Sequence, residues 1–396
     1  MSANTTEHKG FLRRHAAKLI ASVIITAGIV YTLQKGGLTL VPEGGDFQSL
    51  KLWTLPAYLL TLVVMSYFRA VRWRFLLRSM AEVPKRRVLA VSWIGFAAIL
   101  LMPFRIGEIV RPYMLREKGK ISMTSATGTV MAERVVDGLY LSIVLAIALV
   151  FVPTLHPLPE KVVGLPISVQ QVRASGFVML GVFTTAFVTI AVFYFACDWA
   201  RKATLLVFGV VSTKLAQKLA DMASKLASGL HFLGRGRDAA GFLFETTIYW
   251  GMNAFGMWLL AYGCGVVHAD GSPMTFGEAC ALMGMLGCTI LIPGPPGLLG
   301  VFQAGIYADM TMYFPTSIVT GPGAAYVFLL YAIQVVWTIA SAGYFLVGDR
   351  KALSTLAHTP GLSGDSEMPP SLRADMTSEA PPSRTSTAGT ASAANG

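Results

Sequence analysis

The sequence predicts an all-α integral membrane protein, a polytopic helical bundle with two Pro/Gly-broken re-entrant hairpins arranged as inverted repeats. Three observations carry this reading. Of 396 residues, 54% are hydrophobic and only 13% are charged, whereas soluble domains carry about 25% charged residues. The apolar residues gather in runs long enough to cross a bilayer. Two of those runs break at similar Pro/Gly segments in corresponding places.

The first apolar run, Ala17 to about Gln34, follows Lys9, Arg13, Arg14 and Lys18. It is long for a signal peptide and no A-x-A site follows, so it reads as an uncleaved helix. The second run, Leu52 to Ala70, ends in Arg69-Ala-Val-Arg72-Trp73-Arg74. The third, Val88 to Phe104, is short and stops at Pro103. The fourth begins near Thr124, still polar, and is apolar from Val135 to Phe151. After a Pro-rich loop comes the fifth, Gly176 to Cys197. From Arg201 to Arg237, Leu and Val alternate with Lys at helical spacing, the pattern of an amphipathic helix at the membrane surface. The sixth run is Ala239 to Val267. The seventh, Gly277 to Ile292, breaks at Pro293-Gly294-Pro295-Pro296-Gly297 and resumes from Leu298 to about Met312. The last is Ala324 to Val347. These runs divide the chain into a basic N-terminus (1–16), a first membrane half (17–153), an external loop (154–174) and a second half (175–348) containing the interfacial segment 201–237. The segment 349–396, rich in Ser, Thr, Ala, Pro and Gly, reads as a disordered cytoplasmic tail.

The charge distribution sets the orientation. If the third run dips into the membrane and returns, Arg105, Arg111, Arg116, Lys118 and Lys120 join the basic segment 69–87 on the cytoplasmic side. Of 32 lysines and arginines, only Lys35, Lys51, Lys161 and Arg173 then lie outside, with Arg134 near a helix start. No Lys or Arg lies between Arg237 and Arg350, so the seventh run reads as a hairpin entered from the outside. The two halves thus have opposite topology. Ile99-Leu-Leu-Met-Pro103-Phe-Arg-Ile-Gly107 resembles Thr289-Ile-Leu-Ile-Pro293-Gly-Pro-Pro-Gly297. Paired Pro/Gly interruptions of this kind point to a transport site, although Pro and Gly break many membrane helices. The net charge of +11 therefore belongs to cytoplasmic loops and not to a nucleic-acid surface. Four cysteines form no CxxC and read as small core residues. Six scattered histidines give no metal site, and no cofactor is implied.

The densest polar information is Pro103-Phe-Arg105-Ile-Gly-Glu108-Ile-Val-Arg111-Pro112, followed by Glu133-Arg134-Val-Val-Asp137-Gly138. Glu108 and Arg111 share a helix face at i,i+3, and Glu133 and Asp137 share one at i,i+4. Charges at membrane depth cost a few kcal/mol each and are seldom idle. The cluster reads either as an ion-pair network holding the hairpin to the fourth helix or as a seat for a phosphate-bearing headgroup. Arg69, Arg72 and Arg74 close a span, where arginines commonly snorkel to headgroups; Arg72 is still counted among the candidate contacts. Glu245, alone in an apolar helix, needs a role or a buried partner. Gly294 to Gly300, with a helix expected to start at Leu298, offers backbone amides for an anion or is a simple turn. Gly297 and Gln303 are the candidates there. No Walker A loop, no GxSxG and no paired metal motif is present. The arginine beside Glu133 and Asp137 favours ionised carboxylates and argues against a general acid.

The Pro103 to Pro112 segment, Glu133-Arg134-x-x-Asp137-Gly138 and Pro296-Gly297-x-x-Gly300-Val301 resemble the flippase-like membrane domain family. This is the membrane part of lysylphosphatidylglycerol synthase, and the resemblance covers about residues 15–348. It implies a bacterial or archaeal plasma-membrane protein with a role in moving lipid between leaflets. The synthase's aminoacyltransferase domain has no counterpart here, so the resemblance implies a transporter and not an enzyme. Many relatives carry an acidic residue where this chain has Gln303. The expected function is translocation of an anionic phospholipid or lipid-linked phosphate, its headgroup held by Arg105, Arg111 and Arg134, which Glu108, Glu133 and Asp137 orient. The alternative is a non-catalytic membrane subunit holding a lipid- or glycan-modifying enzyme through its basic surface, and a third reading is a membrane transferase built on the same cluster.

Overall fold

In the computed structural model the apolar runs become helices. The description covers most of residues 24–348; outside it lie 1–23, 349–396, the stretches 103–106, 117–120, 218–234 and 291–295, and a few scattered positions. The Arg105 prediction, much of the interfacial segment, the basic N-terminus and the tail therefore fall outside the described residues. Within them are twelve α-helices and no β-strand beyond two isolated bridges.

The first long helix, α1 (Thr54–Val71), bends at Arg72 and continues as α2 (Trp73–Leu77). Next come α3 (Lys85–Leu101), α4 (Val110–Arg116) and the long α5 (Met123–Phe151). A loop leads to α6 (Val169–Phe195), started by a reciprocal cap between Ser168 and Gln171, and then to α7 (Cys197–Gly209). The second half contains α8 (Gly236–Cys264), α9 (Phe276–Ile290), α10 (Val301–Tyr313), α11 (Thr316–Thr320) and α12 (Pro322–Gly348). Among the described residues, four segments are long and apolar enough to cross a bilayer: Thr54–Leu77, Ser125–Phe151, Val169–Phe195 and Pro322–Val347. At 1.5 Å per residue, 27 residues of α6 reach about 40 Å, beyond the ~30 Å of hydrocarbon. The two helices preceding the Pro/Gly breaks, α3 and α9, have only 17 and 15 residues, short of the ~20 a full crossing needs.

Packing interleaves the halves. Helices α1 and α8 lie along each other; α5 packs on α9 and α12 packs on α3, so the final helix of each half covers the broken segment of the other. Side chains facing outward are apolar: Ile143, Ile147 and Val150 of α5, Phe177, Val178, Val182 and Val188 of α6, and Val336 and Ile339 of α12 are all exposed. Exposed apolar surface on this scale marks a lipid-facing boundary. By contrast α10 is buried around nearly its whole circumference, the position of a central helix. Two apolar clusters fill the interior, one around α8 to α12 and one around Trp73, α3 and α4.

Candidate functional site

The site lies where those two clusters meet. Arg72 sits at the α1–α2 bend and is fully buried. From α5, Glu133 and Asp137 project from one face, being four residues apart. The Arg72 fork grips Asp137 with Nη1 to Oδ1 and Nη2 to Oδ2, both 2.6 Å. Its Nη2 also donates to Glu133 Oε1 at 3.0 Å, and its Nη1 to the Thr246 hydroxyl of α8 at 3.0 Å. Arg111, brought by α4, donates from Nη1 to Glu133 Oε2 at 3.0 Å. It reaches that position because α3 presents Gly95, where a Cβ would collide with the Arg111 stem. Arg134 stands 3.5 Å from Glu133 and 3.9 Å from Asp137. The indole of Trp250 donates to Asp137 Oδ1 at 3.2 Å.

Aromatic faces complete the cage. The Arg111 guanidinium lies 4.2 Å from the Trp73 ring centroid, and Arg72 lies 4.8 Å from that of Tyr249. Arg69, one turn before Arg72, lies 4.0 Å from the Phe96 centroid and 5.8 Å from that of Tyr249. It has no acidic partner among the described residues, and its Nε is buried without an acceptor. Arg111 Nε and Nη2, Arg72 Nε and Arg134 Nε are likewise unmatched. Buried polar groups normally find partners; of these unmatched donors, those of Arg69 and Arg134 belong to side chains that line the cavity beside the cluster.

A cavity of about 180 Å³ opens beside the cluster. Arg69, Arg134 and Asp137 supply its charged end; Phe96, Leu100, Leu141, Phe183, Met283 and Leu286 supply apolar wall; Asn253, Gln334 and Thr338 add polar points. Its lining comes from α1, α3, α5, α6, α8, α9 and α12, and so from both halves. This arrangement suits an amphiphile: guanidinium groups for an anionic head, aliphatic and aromatic walls for a chain.

The pattern of the lysylphosphatidylglycerol synthase TM region matches residues 19–343. The chain belongs to this family. No curated relative matches it. For a member of the lysylphosphatidylglycerol synthase TM region family, a multi-pass membrane architecture and a membrane lipid-related role follow.

The predicted residues separate into groups. Arg72, Arg111, Glu133, Arg134 and Asp137 come together as one network. Arg72 does not snorkel to the surface, because two carboxylates of α5 compensate its charge in the interior. Arg111 is fully buried in the network, paired with Glu133, and is not among the residues that line the cavity. Glu108 is half-buried and acts electrostatically on Arg134. Glu245 has its buried partner in Arg74, at 2.5 Å, outside the cavity lining. At the second break the helix starts at Val301 and not at Leu298, because Gly297, Leu298 and Gly300 all take positive φ. Gln303 is 2% exposed, and its Oε1 accepts from the Gly300 amide at 2.7 Å. Gly297 gives its carbonyl to the Tyr331 hydroxyl at 2.9 Å. Both serve the turn. The motif reading missed Arg69, Tyr249 and Trp250 as site residues. Arg69 had a signal, since i,i+3 spacing places it on the same side of α1 as Arg72.

Proposed function

We propose that this protein binds an anionic or phosphate-linked lipid in the cavity beside Arg72 and moves it between leaflets, acting as a transporter and not an enzyme. One observation carries the reading: Arg69 and Arg134, each with an unmatched buried Nε, line together with Asp137 a cavity whose remaining wall is largely apolar and drawn from both halves. Guanidinium groups favour phosphate oxygens, and the apolar wall accepts the first part of an acyl or prenyl chain. The Arg72–Asp137–Glu133 network is the rigid support. It holds Arg134 and Arg111 in place while Arg69, with no carboxylate partner among the described residues, meets the headgroup. Because each half covers the other's broken segment, a small rocking of one half against the other opens the cavity toward alternate sides. The dip-and-return course of both hairpins belongs to this proposal, as does a bacterial plasma-membrane location with both termini cytoplasmic, which rests on the basic segments gathering on one side.

The test is translocation of headgroup-labelled lipids by purified protein in liposomes, with Arg69→Gln alongside. Anionic lipid should cross faster than zwitterionic lipid, and Arg69→Gln should slow it about tenfold, the loss of one charge-assisted hydrogen bond. Transport of no lipid by folded protein overturns the proposal. So do equal rates for both lipid classes that Arg69→Gln leaves unchanged.

A further inference from the structure

The second half holds a buried carboxyl that the lipid cavity does not use. Asp309 lies on α10, fully buried, and neither of its oxygens has a hydrogen-bond partner among the described residues. The hydroxyls of Tyr313 and Tyr326 are buried and unmatched as well. Tyr313 follows Asp309 by one helical turn on the same face, and Tyr326 belongs to α12, which packs on α10. The titratable groups around it come from several elements. Glu278 at the start of α9 is the charged group acting on it. Tyr58 of α1 and Cys264 of α8 act on Tyr326. Arg173 of α6 acts on Tyr313 and donates to the Leu149 carbonyl. No salt bridge to Asp309 occurs among the described residues.

A bare carboxylate in such surroundings costs far more than one side chain's packing can return, and it is neutralised instead. Two neutralising ligands are available, a metal cation and a proton. A cation needs several converging oxygens and room for itself, whereas α10 is packed on nearly all sides and none of the cavities described above is lined by Asp309. A proton needs no room.

The aqueous end of α9 carries a second titratable pair. The loop between α8 and α9 carries His268, whose Nε2 lies 2.7 Å from Glu278 Oε1 and whose side chain is 22% exposed. Its ring also stacks on Phe314, which follows Tyr313. Helices α9 and α10 are packed together, and burial deepens from the His268 side chain, 22% exposed, to Glu278 and then to Asp309. Asp309 lies about 6 Å along the helix from Tyr313, at 1.5 Å per residue.

We propose that Asp309 is a proton-carrying carboxyl that exchanges its proton with water through Glu278 and His268 and couples lipid movement to a proton gradient. The proton leaves one Asp309 oxygen for Glu278 when movement of the α9–α10 pair brings the two carboxyls into contact, and passes to the imidazole and then to water; it returns by the reverse path. Loss of the proton leaves a charge in an apolar place and so favours a rearrangement of the α9–α10 pair. Met283, Leu286 and Gly287 of that pair line the lipid cavity. The coupling, though not the proton site, rests on the lipid-transport reading.

Infrared spectroscopy of the protein in lipid tests the site without any transport. At neutral pH, in sodium-free and sodium-containing buffers alike, a protonated-carboxyl carbonyl band should be present and should vanish in Asp309→Asn. Isotope-labelled aspartate should shift the same band in the unaltered protein, which serves if the variant does not fold. In heavy water the band should exchange several-fold more slowly in Glu278→Gln. Absence of the band, or its loss on adding sodium, overturns the proton site; exchange unaffected by Glu278→Gln overturns the route. In liposomes, a proton gradient should change the lipid rate several-fold, and Asp309→Asn should abolish that response. A lipid rate indifferent to the gradient overturns the coupling while leaving lipid transport standing. No transport under any condition overturns the lipid reading and the coupling together, and the infrared band still decides the site.

Discussion

Arg72 and Asp309 are both wholly buried and both belong to apolar helices, yet their surroundings are opposite. Arg72 meets two carboxylates, a hydroxyl and two aromatic faces. Asp309 meets nothing that pairs with it among the described residues. A buried charge that is fully paired becomes a structural fixture, since removing either partner strands the other. An unpaired one is held neutral by a ligand and remains responsive to that ligand's supply. The first half thus spends its charges on holding α1, α4, α5 and α8 in register, with spare donors toward the cavity. The second half keeps one carboxyl uncommitted.

The contrast is broken most directly at Asp137. Asp137→Ala leaves the Arg72 fork without its bidentate acceptor and should cost about 3–5 kcal/mol, read by thermal unfolding in lipid-containing micelles. Adding Arg72→Met should recover much of the loss, because the stranded charge is gone. Asp309→Asn should cost about 1 kcal/mol or less, the scale of one neutral hydrogen bond. Equal losses at the two sites would erase the distinction between a paired and an unpaired charge. An effect between these two is expected at Gly95→Ala, where the new methyl meets the Arg111 stem. Overpacking of this kind costs about 1–3 kcal/mol, and the same unfolding assay measures it. An unchanged midpoint would mean that Arg111 has another route to Glu133.

The smallest effect concerns the aqueous end of the second half. Partial burial lowers the His268 pKa, but hydrogen bonds with Glu278 and the Ser272 carbonyl outweigh it, and the net shift is upward. A folded-state pKa above the unfolded value stabilises the protein fully below the unfolded value of about 6.5. That contribution fades as pH rises through the raised folded value. The thermal midpoint should therefore fall modestly across that window, and His268→Gln should flatten the profile. A midpoint that rises with pH over the same window would contradict the pairing with Glu278.

Much of the site was legible because membrane depth makes charge conspicuous. Glu133, Arg134 and Asp137 stood out by spacing alone, and Glu245 stood out by isolation. Asp309 carried the same signal as Glu245, a lone carboxylate in an apolar run, but no motif drew attention to it. The sequence could not tell that Arg72 turns inward. A helix-end arginine reads as a snorkelling one until the helix that faces it is known. Nor could it tell that Gln303 is occupied by its own turn. That follows from the positive φ values at Gly297, Leu298 and Gly300, which delay the helix start to Val301.

Sequence by itself determined the solvent, the helical class and the places where the chain must break. Those depend on local composition, on apolar run length and on Pro and Gly, and local chemistry is what a sequence states. Tertiary structure alone decided which charges pair and which buried donors and oxygens are left without a partner among the described residues. Pairing partners such as Arg72 and Asp137 are separated by 65 residues. Their meeting depends on how α1 and α5 cross, and packing of whole helices sets that crossing.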